Sequence, residues 1–365
     1  MQRMPMEKMK FQEELIKVGF NSQEKERSAS FLQEDDKVKL VRSIASDIEI
    51  TSTQKALKKY SWLKKYYKKA FKEAGKGFPG DTYEGGYFIW VKENAQIFFP
   101  IQTCLFLKKN RFSQKVHNLV IVEEGAQVYL ITGCGASPQS FESYHLGVSE
   151  FFIKKGAYLN FTMIHNWQNS TVVDPKSVAV VEEGAVFVSN YICLSPVKRV
   201  TMYPEALLVG EKAKARFTSL LFAHPDSFLD IGSKVVLKAF STSAEVISRA
   251  ISNKGEVIVR GHLRSESSQV KAHLECQGLM LSEKGRIWAV PQLETFYQDV
   301  DMSHEAAIGK ISKEEIEYLC SRTLSREEAK SIIVRGFMNT DILFLPQVLK
   351  SEVERLTQEV IKSGL

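Results

Sequence analysis

VEEGAQVYLI at 122–131 recurs, altered but recognisable, as IKKGAYLNFT at 153–162 and as VEEGAVFVSN at 181–190. Three further versions follow: VGEKAKARFT at 209–218, SNKGEVIVRG at 252–261 and SEKGRIWAVP at 282–291. Each is a charged turn holding a small residue, and each leads into a run rich in Val, Ile, Phe and Tyr. Measured at Gly125, Gly156, Gly184, Lys212, Gly255 and Gly285, the turns recur at almost equal steps, with one longer step from Lys212 to Gly255. A recurring period of strand-like units marks a stacked repeat, because one unit alone cannot bury its apolar face. Glycine in the turn tolerates a positive φ that would strain a β-branched residue. A helix between strands would need about ten residues of 3.6 periodicity, which the intervals do not supply. The chain therefore reads as mainly β, with a β-helix or similar stacked β-solenoid over residues 83–300.

The flanks read differently. Residues 1–82 are expected to form a helical N-terminal region, since EELIKVGF, DDKVKLVRSIASDI and QKALKKYSWLKKYYKKAF carry apolar residues at three- and four-residue spacing. Gly75, Gly77, Pro79 and Gly80 end it. Residues 301–365 are expected to form a C-terminal helical domain. Ser312 to Glu315 is a capping box with Ile311 and Ile316 as its hydrophobic staple, and Ser325 to Glu328 is a second box. Gly336 fits the C′ position of the helix that the second box starts. A last helix after Pro346 would present Val348, Val353, Leu356 and Val360 as an apolar stripe.

The composition, 44% hydrophobic and 25% charged over 365 residues, is that of an ordinary globular chain. The net charge of +6 is concentrated between Lys55 and Lys76, a segment read as a solvated amphipathic helix. No glycine-aromatic RNA-binding motif follows it, so neither a nucleic-acid nor a membrane partner is expected. No apolar run approaches the ~18 residues of a membrane span, and the N-terminus has no apolar leader core. Five cysteines, odd in number and with no CxxC pair, argue against a disulfide framework and against a local zinc knuckle. A cytoplasmic, reduced setting is expected.

The repeat phase singles out one group of residues. Cys276 follows the Gly255 turn at almost the same distance as His304 and Glu305 follow the Gly285 turn. They occupy nearly the same phase of consecutive rungs, which a ladder holds ~4.8 Å apart. Thiolate, imidazole and carboxylate are ligands for iron and zinc, and thiolate is the one that iron–sulfur clusters favour. Cys276 and Glu305 are expected to point the same way and to converge on one ion or cluster, with His304 as a further ligand. Cys104 and Cys193 sit in apolar runs and read as core, and Cys320 reads as helix packing. Cys134 reads as an accessible thiol at a strand end, and His165-Asn166-Trp167 as an inward polar cluster. GxxxxGK[ST], GxSxG and HExxH are absent, which removes P-loop, serine-hydrolase and zinc-protease readings. A β-solenoid enzyme such as an acyltransferase is the alternative from another class. It would show a strict hexapeptide period, and a polysaccharide lyase would carry a secretion signal; neither is present.

The run HEAAIGKI, followed by EYLCSRTLSREEAKSIIVRGF, resembles the HEA-x-x-x-(K/R)-I, YL-x-SRG-L and GF pattern of the SufB/SufD family of iron–sulfur cluster assembly proteins. The likeness extends from about Gly85 to Pro346. It implies a right-handed parallel β-helix flanked by helical regions, dimerising through the β-helix as a homodimer or as a heterodimer with a paralogous SufB/SufD chain. It also implies a SufC-type ABC ATPase bound by the C-terminal helices, a sulfur donor and apo-protein acceptors. Cys276 in ECQG matches the family's cluster-ligating cysteine, and Glu305 the acidic ligand of the HEA motif in the SufB scaffold type; the SufD type has His-Gly there. His304 is the next candidate. The family's EGC-TAP segment is Thr132-Gly133-Cys134-Gly135-Ala136-Ser137-Pro138 here and has lost its acid. Its QNW is His165-Asn166-Trp167, and Phe106 and Lys108 replace an Arg and an Asn. The expected function is a non-enzymatic scaffold that ligates a transient iron–sulfur cluster; the alternative is a SufD-like partner subunit that does not ligate.

Overall fold

The structure, a computed structural model, describes residues 6–20 and 27–338. Two sheets of ten and eleven strands, parallel except for one antiparallel strand at the N-terminal edge of each, face one another as a β-solenoid of about eight turns. The first runs from Ala29–Glu34 through Ile101–Leu107 and Val186–Cys193 to Ser243–Ser252, Val270–Met280 and Val300–Lys310. The second ends with Phe228–Leu237, Glu256–Ser265 and Arg286–Thr295. Alternate residues of both sheets meet in one apolar core. Val128, Leu159, Phe187, Phe217, Val246 and Leu274 come from the first sheet, and Val120, Phe151, Leu229 and Val257 from the second.

The repeated turns stack as their spacing implied. Gly125, Gly156 and Gly184 have φ of 66°, 63° and 64°, and the N–H of each donates to a carbonyl one turn further on, Lys155, Glu183 and Glu211. The Glu-Glu, Lys-Lys, Glu-Glu alternation of these turns also has a physical reading. Lys154 meets Glu182 at 2.6 Å and Lys155 meets Glu183 at 3.1 Å, so successive turns attract where identical ones would repel. Lys212 and Lys254 take the positive-φ role in their turns. Gly255 is needed for close approach instead, since a Cβ there would sit 2.2 Å from the His224 carbonyl.

Both flanks depart from the expected boundaries. DDKVKLVRSIASDI is not helical: Ala29–Glu34 and Lys37–Ser43 form an antiparallel hairpin, and Ile48–Ser52 pairs antiparallel with Tyr87–Val91. Ala29–Glu34 also runs parallel to Ile101–Leu107, so this segment closes the N-terminal end of the solenoid. The turn at Asp35 (φ 51°) and Asp36 starts the hairpin, and cross-strand pairing overrides the apparent helical spacing. The basic stretch is three short helical pieces, Thr53–Lys59, Ser61–Lys65 and Lys69–Glu73, broken at Lys68 with φ 64°. Its Leu63, Tyr66, Ala70 and Phe71 cover Ile121, Val148, Phe152 and Val180 on the outer face of the second sheet, leaving most of its lysines in solvent. Buried Glu150 fastens it, accepting hydrogen bonds from the Lys68 and Ala70 N–H groups at 2.7 and 2.8 Å and from His117 Nε2 at 2.9 Å.

At the other end the strand Val300–Lys310 carries the solenoid beyond the boundary expected at residue 300. The Ser312–Glu315 capping box forms, and so does the Ser325–Glu328 one. Gly336 lies inside the helix Arg326–Met338 and is not its C′ residue. That helix folds back, placing Val334 and Met338 against Ile251 and Leu279 on the outer face of the first sheet. The helix expected after Pro346 falls outside the described residues.

Candidate functional site

The N-terminal end of the solenoid is closed by its hairpin, whereas the C-terminal end is open among the described residues. On the last rung the inward side alternates through Ile287, Ala289, Pro291 and Leu293 in one sheet and through Met302, His304, Ala306 and Ile308 in the other. No further rung covers them among the described residues, so Leu293 is 37% and Ile308 47% exposed. The end is thus an apolar mouth with one imidazole in it.

Cys276 lies one rung below this mouth. It pairs in register with Ser248 on one side and with Ala306 on the other. Its thiol is only 1% exposed and faces the core. Burial, with a smaller contribution from the Glu275 carboxylate, pushes its pKa up to about 11. A site in this state holds a protonated thiol at neutral pH and needs a metal or a change of surroundings to make it a thiolate.

Register separates the expected ligands. His304 pairs with Leu274, Glu305 with Glu275 and Ala306 with Cys276. Cys276 and His304 therefore share the inward face, and Glu305 points to the outer one. The expected convergence of Cys276 and Glu305 within one chain is not found. The ladder pairs Cys276 with residue 306 and not 305, and a one-residue difference turns a side chain to the opposite face. On the outer face Glu275 is held by Arg249, and Gln277 Nε2 donates to it at 2.6 Å. The Phe337 ring of the C-terminal helix lies 6.0 Å from the Arg249 guanidinium. Among the described residues no three His, Cys, Asp or Glu side chains come together in a way that would hold a metal. Thiol and imidazole on one face suit iron, but they are an incomplete set.

The remaining candidates sort clearly. Cys104 and Cys193 are core, as expected, with their thiols kept neutral by burial, and Cys320 is half-buried. Cys134 is not an accessible thiol: it is 2% exposed, its pKa is raised by burial, and it lies beside His165 in register. His165 is inward as expected, its Nδ1 2.8 Å from the Tyr191 hydroxyl. Thr132 lies 2.9 Å from the Tyr87 hydroxyl and 2.7 Å from Thr103. Tyr87, Thr103, Thr132 and Tyr191 were not singled out by sequence. Part of the signal was present, since Thr103 and Thr132 are hydroxyls at paired inward positions of strands one repeat apart.

The profile of the SUF system FeS cluster assembly SufBD core domain matches residues 105–337. The chain belongs to the SufBD family. A SufBD family iron–sulfur cluster assembly protein from Archaeoglobus fulgidus is 46% identical over 346 residues, covering 94% of this chain and 93% of that one. A SufBD protein from Methanothermobacter thermautotrophicus is 43% identical, covering 96% of this chain and 88% of that one. One from Pyrococcus horikoshii is 27% identical, with 86% and 72% covered. The SufBD core match begins near Cys104, spans Cys276 and the open mouth, and ends in the helix that folds back on the first sheet.

Proposed function

We propose that this SufBD protein is a cytoplasmic scaffold on which iron and sulfide are joined into a transient cluster and then passed to apo-proteins. Cys276 is the anchoring thiolate and His304 the second donor from the same face. The observation that carries this reading is the placement of Cys276 one rung beneath an apolar end left open by the described residues, which bring too few ligands together on their own. A second SufBD chain, identical or paralogous, meets that end, buries Leu293 and Ile308 and completes the ligand set. Few and mixed ligands suit a cargo that must leave. Glu305, on the outer face, is assigned no bond to the ion held by Cys276 of its own chain. A SufC-type ATPase docks on the helices Lys313–Cys320 and Arg326–Met338, whose attachment to the outer face links it to the strand that carries Cys276.

The sealed, protonated Cys276 thiol also favours a second reading, a SufD-like subunit that shapes the complex without ligating. Anaerobic incubation with ferrous iron and sulfide, followed by exposure to an apo-ferredoxin, separates the two. The scaffold reading predicts visible-region cluster absorption and its transfer to the acceptor. Absence of cluster in this chain alone, together with its appearance once a second SufBD-type chain is added and bound there without Cys276, would replace that reading with the partner-subunit one.

A further inference from the structure

Inside the apolar core one file of polar side chains leads to Cys276. Tyr191, Ser219, Ser248 and Cys276 are register partners on four consecutive rungs of the first sheet, and Ala306 follows on the last. Ser219 and Ser248 are both buried, and the Ser219 hydroxyl donates to Ser248 Oγ at 2.9 Å. That bond spends the Ser219 proton and leaves the Ser248 proton to be placed. The inward neighbours of Ser248 along its own strand are Val246 and Ala250, and those flanking Cys276 on the next are Leu274 and Gly278. All four are apolar. A buried hydroxyl with an unspent proton costs stability, and alanine at such a position, as at Ala250, would avoid the cost. On the side of Ser248 away from Ser219, the register sets Cys276 on the next strand, its backbone ~4.8 Å away, and the direction of the Ser248 O–H is free to turn toward that sulfur.

Resting on the reading of Cys276 as the anchor, we infer that Ser248 is a positioning residue that donates a hydrogen bond to the Cys276 sulfur, with Ser219 fixing the direction of its hydroxyl. A sulfur bonded to iron carries excess negative charge, and none of the four residues flanking Ser248 and Cys276 along their strands has a side chain that can donate to it. Hydrogen bonds to such sulfurs stabilise the more reduced state of a cluster and raise its reduction potential. The pair also stiffens the side of the site that faces away from the mouth, leaving small Ala306 on the side from which cargo leaves.

The test has one reading on the protein alone and one on the loaded form. The infrared S–H stretch of Cys276 is identified by its disappearance in Cys276→Ser, then compared in wild type, Ser248→Ala, Ser219→Ala and Ser248→Thr. The inference predicts a clear shift in Ser248→Ala, a smaller one in Ser219→Ala, and a wild-type position in Ser248→Thr. In iron- and sulfide-loaded protein the midpoint potential falls in Ser248→Ala and is restored in Ser248→Thr. An unmoved thiol band in both alanine variants overturns the inference whether or not a cluster forms. A shifted band in a wild-type protein that loads no cluster supports the contact and removes Cys276 as anchor.

Discussion

Acid should unfold this protein earlier than its carboxylates alone would require, because two histidines are sealed in the solenoid in neutral form. His145 is 2% exposed, its Nδ1 lies 2.9 Å from Gln114 Oε1, and burial lowers its pKa to about 3. His165 is lowered in the same direction by burial and then by His145, the two rings flanking Trp167 at 5.0 and 5.3 Å. An unfolded histidine titrates near 6.5. As pH falls below that value the unfolded chain takes up protons and the folded chain does not, so stability drops until the folded pKa is reached. At pH 5, about 1.5 pH units below the unfolded value, the loss is roughly 2 kcal/mol for His145, and His165 adds a loss of the same sign. With a urea slope of about 3 kcal/mol/M, His145 alone moves the midpoint by roughly 0.7 M between pH 7 and 5. Urea titrations of wild type and His145→Gln at both pH values measure this, since glutamine does not titrate. The reasoning fails if the variant loses as much midpoint as wild type over the same pH interval.

Glu150→Gln should loosen the basic segment, since a buried carboxylate holding two backbone N–H groups and His117 is replaced by a neutral amide. A loss of about 3 kcal/mol corresponds to roughly 100-fold faster tryptic cleavage between Lys64 and Lys76 while the strands remain protected. Ile308→Asp and Leu293→Asp should shift sedimentation from dimer to monomer. Because both side chains are partly exposed in the single chain, the melting temperature should move by only a few degrees; an unchanged dimer would place the interface elsewhere. Val334→Asp puts a charge where the C-terminal helix meets the sheet, at a side chain 1% exposed. It should abolish co-purification with a SufC-type ATPase while leaving the far-UV strand signal intact, and retained binding would remove this helix from the docking surface.

The solenoid was legible because Gly125, Gly156 and Gly184 repeat both a backbone requirement and a charge pattern, and both are local. The hairpin at Asp35 was not. Val38, Leu40 and Val41 fit three- and four-residue spacing loosely; what makes them strand is antiparallel pairing with Ala29–Glu34, itself held by its parallel partner Ile101–Leu107, distant in sequence. The candidate site was half legible. Counting from the turns put Cys276 next to the HEA stretch, yet the step from Gly255 to Gly285, taken again from Cys276, reaches Ala306 and not Glu305. Sheet alternation makes that single residue decide which face a ligand occupies. The burial of Cys134 could not be read from ITGCGASP, because the strands that enclose it, Ile101–Leu107 and Tyr158–Asn166, each lie a full turn away in the chain.

The central claim, that Cys276 anchors a cluster at the open end, is tested most directly by iron and acid-labile sulfide bound per chain after anaerobic loading. Wild type, Cys104→Ser and Cys193→Ser should bind alike, since a hydroxyl in either core position touches no ligand. Cys276→Ser should bind little or nothing, since a serine oxygen is a poor bridge to iron. Equal iron and sulfide in wild type and Cys276→Ser would contradict the account.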